Sequence, residues 1–179
     1  MKIPTAVELA GAFAGLGCPT PTSLHIVVLR KTPGALDTFD DMLLLLDGYD
    51  VAFACRCTAD PGKPALEHPK RRDGTAVIAA GQHLDSFAFG KHHGEYECLV
   101  PCKPIPVLRY TSVDDPTGDP STSSTTQIHR ANAGKESVVV SSWSEGCIVV
   151  ANPVEFAKMM ELCHAAKQAK FTLTLMPWQ

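Results

Sequence analysis

Two short segments organise this chain: Gln127-Ile128-His129-Arg130 and, after a loop, Trp143-Ser144-Glu145-Gly146-Cys147-Ile148-Val149-Val150. His129 follows an isoleucine, as at the end of a strand, and Cys147 leads directly into the apolar run 148–150. Although 18 positions separate the two residues, two strand ends joined by a loop can meet in space. We therefore expect the thiol of Cys147 to lie within hydrogen-bond reach of the imidazole of His129.

A cysteine beside a histidine is the minimal unit of cysteine nucleophilic catalysis. The imidazole takes the thiol proton or holds a thiolate–imidazolium pair, and the pKa of Cys147 is then expected below the free value of about 8.5. Gly146 allows a sharp turn, so the amides of Gly146 and Cys147 can face a developing oxyanion. Because the chain has seven cysteines and seven histidines, the spacing alone also fits a buried structural thiol and a surface histidine.

The residues around the cysteine add a more specific pattern. His129 followed by Ser144-x-Gly146-Cys147-Ile148 resembles the signature of the L,D-transpeptidase (YkuD-type) catalytic domain. The sequences Ile-His-Arg-Ala before the loop and Trp-Ser-x-Gly-Cys after it are similar to those of a divergent phage or prophage branch of this family. The resemblance covers about twenty residues. It implies a mixed β fold and a cysteine enzyme that acts on the peptide stems of peptidoglycan.

The resemblance also implies roles for individual residues. Cys147 would be the nucleophile and His129 its base, with the backbone carbonyl of Arg130 orienting the imidazole. The amides of Gly146 and Cys147 would form the oxyanion hole. We expect the hydroxyl of Ser144 to make hydrogen bonds that fix the turn at Gly146.

Two residues depart from the family pattern. Glu145 stands where the family usually has a second histidine. Val149 stands near the position of a family arginine that helps to hold the substrate. Both departures bear on substrate contacts more than on the cysteine–histidine pair.

Three further residues are candidates for substrate binding. His92 lies between glycines in a predicted turn, at a place where similar phage sequences carry a Gly-x-His; it lines the cleft or is simply exposed. Arg109 ends a predicted strand and could hold a substrate carboxylate, or form a surface salt bridge. Trp143 could pack under the active-site turn or stack on a sugar.

Length and composition limit the other possibilities. The 179 residues suffice for one domain with a core, and the formal charge of −3 argues against a nucleic-acid partner. The basic run 70–72, between Pro69 and Asp73, is interpreted as a solvated loop. No apolar stretch is long enough to span a bilayer, and residues 1–8 do not resemble a signal peptide. The cysteines are expected to be free thiols. No metal or other cofactor is expected, since the cysteine pairs lack the usual two-residue gap of a zinc knuckle.

The chain is predicted to be mainly β, with α-helices at both ends. We expect a helix over 5–17, capped by Thr5, and a second helix from Pro153 to about Lys170. Asp47-Gly48 predicts a type I′ hairpin turn, whereas 59–74 and 114–126 are predicted loops. About eight short strands are expected, at 24–30, 41–46, 49–58, 75–79, 86–89, 96–100, 107–110 and 171–176. The predicted architecture is an L,D-transpeptidase-like mixed β-sandwich or barrel, with residues 1–22 as an N-terminal helix and linker and 23–179 as the catalytic domain.

The expected function is cleavage or transfer at a stem-peptide carbonyl through a Cys147 thioester. A hydrolase, endolysin-like endopeptidase or carboxypeptidase, is favoured over a transpeptidase. The protein would be made in the cytoplasm without a signal peptide and act on the wall after release by a lysis partner, or as part of a virion. The alternatives are a non-catalytic phage tail or wall-binding module that retains the fold, and a cysteine peptidase acting on proteins.

Overall fold

A computed structural model describes residues 2–19, 22–32, 34–115 and 117–179. Three α-helices lie in these ranges: α1 (Ala6–Gly15), α2 (Lys63–Glu67) and α3 (Pro153–Ala165), with a 3₁₀ turn at Ser141–Trp143. The strands are β1 (His25–Lys31), β2 (Asp41–Asp47), β3 (Asp50–Thr58), β4 (Thr75–Ile78), β5 (Gly81–His92), β6 (Tyr96–Pro101), β7 (Ile105–Tyr110), β8 (Asp119–Ser123), β9 (Ile128–Arg130), β10 (Ile148–Val150) and β11 (Phe171–Trp178).

Eight of these strands close into a barrel in the order β1-β11-β5-β6-β9-β10-β3-β2, and β4-β7-β8 form a second, three-stranded sheet. The pairs β1–β11 and β9–β10 are parallel, whereas the other paired strands are antiparallel. The mainly β fold with a helix at the N-terminus and another after Cys147 is therefore confirmed. No described helix is long and apolar enough to cross a membrane.

The four consecutive leucines 43–46 are all buried because both faces of β2 are covered. Leu43 and Leu45 point into the barrel, while Leu44 and Leu46 lie in the cluster that α1 covers with Leu9 and Phe13. Side chains alternate between the faces of a strand, so a continuous apolar run is what a strand packed on both sides requires. The helix begins as predicted, with Thr5 and Glu8 forming a capping box. Whether 1–22 and 23–179 are separate units stays a prediction.

Several predicted boundaries were wrong. The loop predicted at 59–74 contains α2, and the loop predicted at 114–126 contains β8, which pairs along β7 despite its polar sequence. The helix α3 ends at Ala165, short of the predicted Lys170. At the tip of the β2–β3 hairpin, Gly48 has a positive φ of 60° but Tyr49 does not, so the turn is not type I′.

Candidate active site

The parallel pairing of β9 with β10 brings the histidine and cysteine segments together. Ile148 lies opposite Ile128 and Val149 lies opposite His129, while Ile128 and Ile148 both point into the barrel. Cys147 directly precedes β10 and Val149 follows two positions later, so both side chains lie on the outer face with His129. The two predicted catalytic residues thus stand on neighbouring strands, on one face, offset by two positions.

The turn before Cys147 requires glycine at position 146. Gly146 has a φ of 107°, and a Cβ at this position would overlap the backbone carbonyl oxygen of Ala76 in β4. The buried hydroxyl of Ser144 fixes the turn by donating to the Cys147 carbonyl at 2.9 Å and accepting from the Gly146 amide at 3.2 Å. The Gly146 amide is therefore engaged within the turn, and the Cys147 amide is the better candidate donor for an oxyanion.

The thiol of Cys147 is partly buried and faces the start of β9. Its Sγ accepts a hydrogen bond from the backbone amide of Gln127 at 3.2 Å. Burial raises the pKa of Cys147 to about 11; the Gln127 amide lowers it and the carboxylate of Glu145 raises it further. The substrate-free protein therefore holds a neutral thiol, and the pKa below 8.5 expected from the sequence is not what this environment produces, because desolvation outweighs the single hydrogen bond.

The imidazole of His129 is buried and held in one orientation. Its Nδ1 lies 2.9 Å from the carbonyl oxygen of Arg130, which also accepts from the hydroxyl of Tyr96 at 3.2 Å. Because a carbonyl oxygen only accepts, the proton of neutral His129 is on Nδ1, and Nε2 carries the free lone pair. Burial lowers the pKa of His129 to about 4, so the ring is neutral at pH 7 and can accept a proton.

His92 packs directly against this ring. The rings of His92 and His129 are stacked, with centroids 4.1 Å apart and planes at 25°. The Nδ1 of His92 hydrogen-bonds the side-chain oxygen of Gln127 at 2.7 Å. Gln127 therefore contacts Cys147 through its backbone amide and His92 through its side-chain oxygen. Among the residues that the structure describes, no hydrogen bond joins Cys147 directly to His129.

No family model matches this chain, and no curated protein matches it. Among solved structures, it is similar to the catalytic domain of an L,D-transpeptidase from E. faecium, determined by NMR. The two share 13% sequence identity over 87% of this chain and 98% of that chain, with a TM-score of 0.38. At this distance, the activity of that protein does not transfer to this chain.

The other predicted substrate-binding residues, Arg109 and Trp143, lie in the small sheet and in the 3₁₀ turn before Cys147. The guanidinium of Arg109 is buried in the small sheet, 3.2 Å from the carboxylate of Asp73 and 3.1 Å from the carbonyl oxygen of Gly74. This is the salt bridge that the sequence offered as the alternative to substrate binding. Trp143 lies in the 3₁₀ turn, and 40% of its surface is exposed. This exposed fraction is larger than that expected of a residue packed under the turn. Glu145, at the position of the family histidine, pairs with Lys70.

Two residues of the site were not singled out from the sequence. Tyr96 lies opposite His92 in the β5–β6 hairpin, and its hydroxyl lies 3.2 Å from the Arg130 carbonyl oxygen and 3.5 Å from Nδ1 of His129. Gln127 is two positions before His129 and so shares its face of β9. The period of two along β9 could have indicated Gln127, but nothing local to Tyr96 indicates that its strand is the neighbour of β9.

Proposed function

We propose that this protein is a cysteine enzyme that acts on the stem peptides of peptidoglycan. The observation that carries the proposal is the orientation of His129, whose Nδ1–H is bound by the Arg130 carbonyl, on the strand next to the glycine-dependent turn that carries the partly buried Cys147. A neutral histidine with a free Nε2 is the form that a general base requires. The wall peptide as substrate is supported by the Ser-x-Gly-Cys motif and the spacing to His129.

The reaction begins with attack of the Cys147 sulfur on a stem-peptide carbonyl. As the S–C bond forms, His129 Nε2 takes the thiol proton, and the Cys147 amide donates to the developing oxyanion. The C–N bond then breaks, and His129 returns the proton to the leaving amine. A thioester remains on Cys147.

Water or a second amine then attacks the thioester, with His129 again moving the proton, and frees the thiol. We favour water as the acceptor, which makes the enzyme a hydrolase. Access to the wall would come through a lysis partner or a virion that carries the protein.

The electrostatics of the site favour proton transfer during attack over a preformed ion pair. Burial holds the thiol protonated, with a pKa near 11, and the imidazole neutral, with a pKa near 4. An imidazolium–thiolate pair is thus disfavoured in the substrate-free protein. The Gln127 amide, 3.2 Å from Sγ, is placed to stabilise negative charge on sulfur as the proton leaves.

Purified sacculi provide the test. Wild-type protein should release soluble peptide fragments, whereas Cys147→Ala and His129→Gln should not. Cys102→Ala is the matched control, since Cys102 is an exposed thiol on the loop after β6. New carboxyl termini would indicate hydrolysis of the thioester, and new cross-links would indicate transfer. Identical fragment profiles from wild-type protein and Cys147→Ala would refute the proposal.

A non-catalytic wall-binding or phage tail module is the second candidate. Two observations favour it: the raised pKa of Cys147, and the lack of a Cys147–His129 hydrogen bond within the described part of the chain. Such a module would bind sacculi with the same affinity in wild-type and Cys147→Ala forms and release no fragments. Co-sedimentation measured beside fragment release separates the two candidates.

A further inference from the structure

A groove of about 440 Å³ lies between the start of β6 and the helix α3, with Arg130 in its lining. Along α3 it is lined by one face of the helix, at Pro153, Phe156, Ala157, Met160, Glu161 and His164. At 1.5 Å per residue this face is about 16 Å long, roughly the length of five extended residues. The buried side chains of Phe156 and Met160 form its apolar floor. The groove therefore has the size and form for a short extended peptide.

Arg130 supplies a positive charge near one end of this groove. Its guanidinium carbon lies over the ring of Tyr96, 3.9 Å from the centroid. Its only hydrogen bond among the described residues is a long one, 3.4 Å, to the carbonyl oxygen of Ala131, and no described carboxylate pairs with it. A stacked, partly buried guanidinium with most of its donors free is a suitable partner for a planar carboxylate.

The opposite end of the groove offers no unpaired basic side chain among the described lining residues. His164 is bound to the carboxylate of Glu97 at 2.6 Å, and the nearby Lys158 is bound to the carboxylate of Glu161 at 2.9 Å. The Arg130 guanidinium has no described carboxylate partner, so a bound peptide would place its carboxylate at the Arg130 end. Phosphate or another compact anion would leave the apolar floor uncovered.

We propose that this groove binds an extended peptide with a free carboxylate, which the Arg130 side chain recognises. That the peptide is a wall stem peptide rests on the proposed function, whereas the preference for a carboxylate does not. The carbonyl of the same Arg130 holds the His129 ring, so a peptide bound here would lie directly behind the base. The groove is then a second peptide site beside the one at the thiol.

The test uses a synthetic stem tetrapeptide as free acid and as C-terminal amide. Binding to full-length Cys147→Ala is followed by the amide resonances of 156–161 at fixed ionic strength. We expect the free acid to bind about tenfold more tightly than the amide, as a charge-assisted hydrogen bond provides. Arg130→Gln should abolish this preference, and Arg130→Lys should retain part of it. Arg72→Gln, which removes the same charge from an exposed loop, should leave it unchanged.

The acid-to-amide ratio remains informative even if Arg130→Gln perturbs the fold locally, because both peptides are measured on the same variant. Equal affinity of acid and amide for Cys147→Ala, or an acid preference that survives Arg130→Gln, would overturn the inference. Displacement of the peptide by millimolar inorganic phosphate with no shift at Phe156 would also overturn it, since it would identify a simple anion site. Because no turnover is needed, the result is independent of whether sacculi are cleaved.

Discussion

Replacing Ser144 with alanine tests whether one buried hydroxyl holds the turn that carries Cys147. The Ser144 side chain is fully buried and makes two hydrogen bonds, to the carbonyl of Cys147 and from the amide of Gly146. Each contributes ~1 kcal/mol, and the two backbone groups left without a partner add a desolvation penalty of about 1–3 kcal/mol. We expect the free energy of unfolding to fall by about 3 kcal/mol, which corresponds to a loss of roughly 6–12 °C in Tm.

The measurement is equilibrium urea unfolding of Ser144→Ala and Ser142→Ala beside wild-type protein. Ser142 is an exposed serine two positions away, and its replacement should change the unfolding free energy by less than about 0.5 kcal/mol. At a temperature where both variants are folded, Ser144→Ala should also release fragments from sacculi more slowly, because the thiol is less firmly placed. Equal unfolding free energies for the two variants would refute the reasoning.

Three other measurements test the site, and a fourth tests a buried histidine outside it. Tyr96→Phe removes the hydroxyl bound to the Arg130 carbonyl while keeping the ring, and should slow fragment release several-fold at little cost in Tm. Gly146→Ala should cost about 3 kcal/mol or more in urea unfolding, because of its positive φ and the overlap with a neighbouring carbonyl. Alkylation of Cys147, followed by peptide mass spectrometry, should still rise about tenfold per pH unit at pH 9; a plateau near pH 8.5 would contradict the raised pKa. Burial lowers the pKa of His25 to about 4 from 6.5, so the unfolded chain binds more protons between these pH values and stability decreases as the pH is lowered from 6.5 to 4. His25→Gln should therefore lose about 2 kcal/mol less than wild type between pH 7 and 5, measured by urea unfolding.

The sequence predicted the elements whose signals lie within a few neighbouring residues. Thr5 and Glu8 predicted the capping box, and Asn152-Pro153 predicted the start of α3. The short strand β8 was missed because its sequence, Asp119–Ser123, is polar, and only its pairing with β7 makes it a strand. Backbone hydrogen bonds to a neighbouring strand do not depend on the hydrophobic pattern of the segment itself, so the local sequence does not indicate them.

The features of the site also divide into those that the local sequence predicted and those that depend on the tertiary structure. The sequence indicated Cys147 and His129 as a pair and required glycine at 146, and the β9–β10 register then places them on one face. It could not give the protonation states, because the pKa values near 11 and 4 follow from burial by residues distant in the chain. A pKa depends on the dielectric and the charges around a group, which only the assembled fold determines.

By itself, the sequence determined which residues are candidates for chemistry and that strands dominate, since motif spacing and the period of apolar residues are local properties. Only the tertiary structure decided which strands are neighbours. That choice placed Tyr96 and His92 around the histidine, and it positioned α3 so that a groove forms beside Arg130. These contacts join segments more than 20 positions apart, and closing the barrel is what brings them together.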